Sequence, residues 1–399
     1  MTVTAHHRIL IVGGGTAGIT VAARLRRAGQ SGVAIIEPSD WHYYQPLWTL
    51  VGAGVSKAAT TRRPEASVMP RGVEWIRSSA ASFAPADNTV TTDDGSTYSY
   101  DVLIVAAGIQ LDWDATPGLA EGIGSNGLSS NYRYDLAPRT WDFIRNTRSG
   151  TAVFTMPTDP IKCGGAPQKI AYLASDYWRS QGVLDEIDVH LVVPSPRIFG
   201  VAEFAEQLEA VIADYGITLH TSSTLAEVDP DAKRAIISST TDDRKFDLDY
   251  DVMHVVPHQS APDWIKASPL SMPDALGYVD VDRHTLQHMR HDNVFSLGDV
   301  AGSPNSKTGA AVRKQAPVVV DNAIAVLEDR PLTAEYHGYS SCPLTTSRSK
   351  MLLAEFDYTN QPTPTIPLIN TIKPRRDMWL LKKYGLPFVY WNLMMRGRL

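Results

Sequence analysis

The glycine turn that follows the first apolar run constrains this chain more than any other feature. Arg8 to Val12 has no polar alternation, as in a strand buried on both faces of a parallel sheet. Gly13, Gly15 and Gly18 then follow in G-x-G-x-x-G spacing, and a helical stretch leads to a second apolar run, "VAIIE", ending at Glu37. Gly13 permits a sharp turn, Gly15 lets the backbone approach a pyrophosphate, and Gly18 lets the helix lie close to the sheet. Thr16 and Ala17 fall in the same turn, where free amides and the positive end of the helix dipole face the phosphates. Glu37 stands where a carboxylate accepts from ribose hydroxyls. A glycine turn alone occurs by chance, but strand, helix and terminal acid together predict a dinucleotide-binding βαβ unit. The code does not separate NAD from FAD.

The remaining bulk features exclude several classes. With 399 residues there is room for two or three domains. A net charge of −6 argues against a general nucleic-acid binder. Two cysteines cannot form a disulfide framework, and the scarcity fits a reducing compartment. No secretory signal or membrane-spanning run is visible, so the chain is expected to be cytosolic or to lie on a membrane without crossing it. No metal ligand set is assigned.

Chemistry enters where a second nucleotide site would be expected. A predicted strand, Thr151 to Met156, runs into Pro157, Thr158, Asp159 and Pro160 instead of a glycine turn. Prolines fix the backbone and remove amide donors that a pyrophosphate would need. Cys163 follows, then Gly164 and Gly165, then a predicted helix with Pro167 near its first turn. Most isolated cysteines are small core residues. Here a helix N-terminus, Lys162 and Lys169 are expected to favour a thiolate at Cys163.

Several segments together resemble one family. "YDVLIVAAGIQ", closing on Gly108, and "NVFSLGDVAG", containing Asp299, are similar to further fingerprints of flavoproteins with two dinucleotide-binding domains. That resemblance implies FAD, with Asp299 on its ribityl chain. "KCGGAPQK" with Cys163, "YSSCPLTTS" with Cys342, "HYYQPLWTLVGAG", "GDVAGSPNSKTGAAV", "LAEFDY" and "PFVYWNLMMRG" resemble sulfide:quinone oxidoreductases, most of all the type II, mitochondrial-like branch. The likeness covers nearly the whole chain.

The resemblance implies that Cys163 and Cys342 meet at the flavin as a disulfide or sulfur-bridged polysulfide. Hydrosulfide attacks the bridge, Cys342 carries the persulfide, and Cys163 passes electrons to the flavin. A small acceptor (sulfite, glutathione or another thiol) removes the sulfur, and a membrane quinone, ubiquinone or menaquinone, reoxidises the cofactor. Gln45 matches a flavin-contacting glutamine, Ala80 an adenine contact, and Lys307, Thr308, Gly309 and Ala310 the helix start near the isoalloxazine. With no cysteine to spare, FAD is expected to be non-covalent. His254 and His258 receive no role.

Residues 373–399 hold seven Lys or Arg and one acid, so this tail is net +6 against −12 for the rest. Its aromatic and apolar residues fit either a membrane headgroup boundary or packing on the protein's own core or an oligomer interface. The resemblance favours monotopic insertion on the cytoplasmic face of a plasma membrane or the matrix face of the inner mitochondrial membrane. Lys382, Phe388, Tyr390 and Trp391 are the quinone and membrane candidates. Deleting the tail is expected to release the protein from membranes and impair quinone reduction, while flavin reduction by sulfide persists provided the shortened protein still folds. Homo-oligomerisation is left open.

The expected fold is α/β: an FAD-binding Rossmann-like domain at 1–112 and 286–330, and a second Rossmann-like domain at 113–285. A C-terminal region at 331–399 carries Cys342 and amphipathic helices. The alternatives are a type II NADH:quinone oxidoreductase, against which the prolines argue, and a flavin-bearing thiol redox sensor.

Overall fold

The computed structural model describes residues 3–158, 160–366 and 369–399, so Asp159 of the proline turn lies outside the described residues. The first sheet has Ala5–Val12 at its centre, parallel to Val33–Ile36 on one side and Thr97–Val105 on the other. Val73–Ile76 extends one edge in parallel, while Thr89–Thr92 and Ala80–Ala84 extend the other as an antiparallel meander. Val294–Ser296 returns from far along the chain to pair with the end of Thr97–Val105. Ile9 and Ile11 face one core while Leu10 and Val12 face another, which is why the strand reads as an unbroken apolar run.

The second sheet is parallel throughout, in the order Leu128–Ser129, Val252–His254, Gly150–Thr155, Ile187–Val192, Thr218–His220. Helices Ala166–Ser180 and Ala202–Tyr215 follow its strands, and Pro167 sits in the first turn of the former. The polar stretch around 240–244 connects the antiparallel strands Arg234–Ser239 and Lys245–Asp249. Where the chain leaves the first sheet, Gln110–Asp112 pairs with His258–Ser260, where it comes back. Ala261, Ile265, Leu270 and Val279 share a core with Leu10 and Val12. We therefore propose that the first unit resumes near residue 260, not 286.

Beyond the long helix Gly309–Leu327, the hairpin Ser340–Thr345/Met351–Phe356 places Cys342 opposite Ala354. The tail then runs as Arg376–Leu380, a π-helical turn Leu381–Gly385, Leu386–Asn392 and a short 3-10 turn Met394–Arg396. Pro387 has no N–H to bond the carbonyl one turn back, which accounts for the widened turn just before it. The tail is two-faced. Leu380, Tyr384 and Phe388 are 55 %, 60 % and 60 % exposed, whereas Trp379, Tyr390, Trp391, Met394 and Met395 are buried. Its aromatic residues thus divide between a free face and the protein's own core. Among the described residues no helix is long and apolar enough to cross a membrane.

Candidate active site

The glycine turn forms as its sequence dictates. Gly13 has φ +104°, and a Cβ there would lie 2.4 Å from the Ala106 carbonyl oxygen. Gly18 packs on the turn so closely that its Cβ would come within 1.8 Å of the Gly13 oxygen. Around Gly15 nothing stands within 4 Å of an added Cβ, so the backbone there faces open space. The Glu37 carboxylate accepts from the Gly14 and Ser39 N–H groups, both at 2.7 Å. Burial raises its pKa, and these bonds oppose the shift.

A cavity of about 580 Å³ runs from this turn to Cys163. Gly13, Gly15, Thr16, Ala17 and Glu37 line one end, and Gln45 and Gly108 line its course. Asp299 and Lys307 to Ala310 line the part near the sulfur. Thr308 caps the helix Gly309–Leu327 by accepting from the Ala311 N–H at 3.1 Å. Two expected cofactor residues are not on the wall. Gly18 lies beneath the turn, and Ala80 sits in an edge strand opposite Thr92, packed on the core.

An elongated cavity with a phosphate-type turn at one end fits a flavin dinucleotide. A second observation agrees. The Asn131 side chain lines the cavity, is 5 % exposed, and has no protein partner on either polar atom. A buried amide so placed leaves a donor and an acceptor free for whatever fills the cavity. Nothing local in the sequence marked it.

Charge is concentrated near the sulfur end. Lys162 and Lys307 are each pushed down to about 8 by burial, opposed by Asp299, whose own pKa burial raises. Lys307 Nζ donates to the Ala301 oxygen at 3.0 Å and sits 3.8 Å from the Tyr278 ring centre. A bridge between Lys162 and Lys307, with the Cys163 N–H donating to the Lys307 oxygen at 2.9 Å, pins the cysteine loop to this helix start.

Cys163 adopts φ +54° and faces the cavity. Cys342 is 1 % exposed in a strand whose neighbours Ser341 and Pro343 line the cavity, so its side chain points to the opposite face. Both are free thiols joined by a hydrogen bond. That bond holds Cys163 well below the ordinary thiol range against the opposing effect of burial, with help from Lys169 and Lys382. Donating to Cys163 and burial push Cys342 well above it. Of the two sulfurs, Cys163 is thus the one favoured as a thiolate.

Two expectations need correction. Lys169 Nζ reaches Cys163 Sγ at 3.0 Å, but Lys162 is turned to Asp299, and the second cation near the sulfur is Lys382 from the tail. The positive φ at Cys163 reverses the chain and carries Lys162 away. The helix-start amide, Gly165 N–H, acts on Cys342, opposing the rise of its pKa. Burial pushes His254 down to about 3, and its Nε2 accepts from the Asn131 N–H at 2.9 Å, a structural position. His258 lies in the pairing strand between the two sheets.

The tail reaches this site directly. Lys382 Nζ donates to the Pro46 oxygen at 2.9 Å, and burial, reinforced by Lys169, pushes it down to about 7. Leu386, Val389, Tyr390 and Met394 are part of the cavity wall. Deleting residues 373–399 would therefore remove part of the cavity wall as well as the outer face of the tail. Phe388 points outward, and Trp391 packs inward beneath Arg63, 4.3 Å from its ring centre.

The family model for pyridine nucleotide-disulphide oxidoreductases matches residues 7–325. The mitochondrial sulfide:quinone oxidoreductase of Mus musculus is 41 % identical, over 98 % of this chain and 87 % of the mouse protein. The X-ray structure of the sulfide:quinone oxidoreductase from Aquifex aeolicus superposes with a TM-score of 0.83 at 19 % identity, covering 99 % of this chain and 92 % of that one. The Plasmodium falciparum NDH2–NADH complex is more distant, with a TM-score of 0.67 at 11 % identity, covering 98 % and 99 %. With this identity over nearly its full length, and with Cys163 at the end of a cavity that begins at the glycine turn, the chain belongs to the sulfide:quinone oxidoreductase family.

Proposed function

We propose that this protein oxidises sulfide at Cys163 and Cys342 and delivers the electrons through non-covalent FAD to a membrane quinone. The observation that carries the reading is the Lys169 ammonium 3.0 Å from Cys163 Sγ at the cavity wall, with the second cysteine, Cys342, buried beside it. In thiol–disulfide exchange the sulfur with the lower pKa leaves faster. From the disulfide form, hydrosulfide attacks Cys342 Sγ, the Cys163–Cys342 bond breaks, and a new S–S bond forms on Cys342. Cys163 departs with the electron pair as a thiolate, held by Lys169 at 3.0 Å. An acceptor thiol or sulfite then takes the outer sulfur, and Cys342 recovers a proton.

Cys163 faces the cavity, and Cys342 is buried behind it. When bound, FAD supplies a two-electron acceptor beside Cys163 that quinone reoxidises. The glycine turn would hold its pyrophosphate, Glu37 its ribose, and Gln45, Asp299 and Lys307 to Ala310 its flavin half. Leu380, Tyr384 and Phe388, beside the tail's basic residues, support peripheral seating on a membrane with quinone entering from the tail side.

The test is a single anaerobic turnover with sulfide and no acceptor, quenched by alkylation and read by peptide mass. One extra sulfur atom is expected on the Cys342 peptide. Extra sulfur on Cys163, or on neither, would contradict the assignment.

A further inference from the structure

The tail is latched to the phosphate-binding turn by a buried chain of side chains that the sulfur chemistry does not use. Tyr390 Oη lies 2.8 Å from Thr16 Oγ1 and 2.5 Å from His42 Nε2. His42 Nδ1 lies 3.2 Å from a Glu65 carboxylate oxygen and 3.2 Å from the Gly14 carbonyl oxygen. Tyr390, His42 and Glu65 are 4 %, 2 % and 1 % exposed. Both partners at Nδ1 are acceptors, so Nδ1 carries the proton. Tyr390 Oη then joins His42 Nε2 to Thr16 Oγ1, and the chain ends at the first residue of the helix Thr16–Arg27.

Other contacts follow the same path. Tyr390 packs on Tyr44 with ring centres 4.3 Å apart. Gly397, at φ +62°, lies so flat on the helix that a Cβ would meet the Ala23 carbonyl carbon at 2.6 Å. Arg24 Nε donates to the Leu399 oxygen at 3.2 Å. Phe388 and Tyr390, two positions apart, fall about 200° apart around their helix. One is exposed and the other buried, so the outer face is free while the inner face is docked.

We infer that the tail is the movable wall of the cofactor cavity. Tyr390, positioned by the buried His42–Glu65 pair, couples tail docking to dinucleotide binding. This rests on the FAD reading above. Because tail residues line the cavity and also bond the turn that binds phosphate, the docked tail retains FAD and bound FAD retains the tail. Such linkage is reciprocal by necessity. An apolar surface that engages Leu380, Tyr384 and Phe388 without displacing the inner face would then slow FAD loss.

The experiment uses the full-length holoprotein, its FAD-stripped form, and the same sample with FAD added back. Trypsin should cut the tail at Arg396 and Arg398 faster after stripping, and added FAD should restore protection. Tyr390→Phe should release flavin about three- to tenfold faster than wild type, the scale of one buried hydrogen bond. His42→Gln should do the same, and the double variant should be no worse than the worse single one. Equal cleavage of stripped and loaded wild type would overturn the coupling, as would wild-type flavin release from Tyr390→Phe. The cleavage comparison needs no variant to fold. A protein isolated without flavin and unable to take up FAD would instead overturn the cofactor assignment.

Discussion

The strands Ala5–Val12 and Gly150–Thr155 lie inside parallel sheets, and each feeds a helix, yet the connections do different things. After the first, three residues reach the helix, and the turn is so tight that backbone meets backbone. After the second, residues 156–165 intervene, with prolines where amides would be needed and a cysteine pinned to the Lys307 carbonyl. On the function proposed above, the first site works through main-chain N–H groups and the absence of side chains, and the second through sulfur and the lysine beside it. One supersecondary unit would then serve two chemistries, and the difference lies in a few turn residues.

The comparison breaks most easily at the sulfur. Cys163→Ser should lower sulfide-dependent quinone reduction on the order of a thousandfold or more while FAD content stays near wild type, since the thiols act as a unit. Substantial activity per flavin would remove Cys163 from the chemistry. At the glycine turn, Gly13→Ala puts a methyl against the Ala106 carbonyl at a backbone angle only glycine tolerates, so purified protein should carry little flavin. The absorbance ratio of flavin to protein reads this directly.

Lys169→Met should act more moderately and with a definite pH sign. Without the ammonium the Cys163 pKa rises, so the thiolate fraction at neutral pH falls and recovers as pH increases. Losing a charged hydrogen bond to the sulfur predicts about a ten- to hundredfold loss near neutrality, smaller at alkaline pH. A pH-independent loss would point to a packing defect. The smallest effect belongs to Gly164→Ala. An added Cβ there meets only the Met156 Cε, at 3.9 Å, and φ is not positive. Stability should stay within about 0.5 kcal/mol of wild type, checked by thermal unfolding. A large loss would mean the second turn is as sterically closed as the first.

What was legible in the sequence was local. The Gly13 turn, Glu37 and the placement of Cys163 before the Pro167 helix each depend on neighbours within a few residues. Lys162 and Lys169 looked equivalent because no local pattern announces that Cys163 takes φ +54°. Lys382 acts on the Cys163 sulfur through its charge, and Tyr390 reaches Thr16, from far along the chain. Such contacts follow from how the tail folds back, which periodicity does not report. His42 and Tyr390 stood in stretches that carried the family resemblance, but their hydrogen bond joins residues 348 apart. Asn131 carries no signal beyond its burial without a partner.

The central claim is that the second turn exchanged nicotinamide chemistry for sulfur. It is tested most directly by mixing one anaerobic sample of the holoprotein with sulfide or with NADH and following flavin absorbance. Sulfide should bleach the flavin rapidly, and NADH should do so far more slowly. Equal rates, or bleaching by NADH alone, would contradict the account.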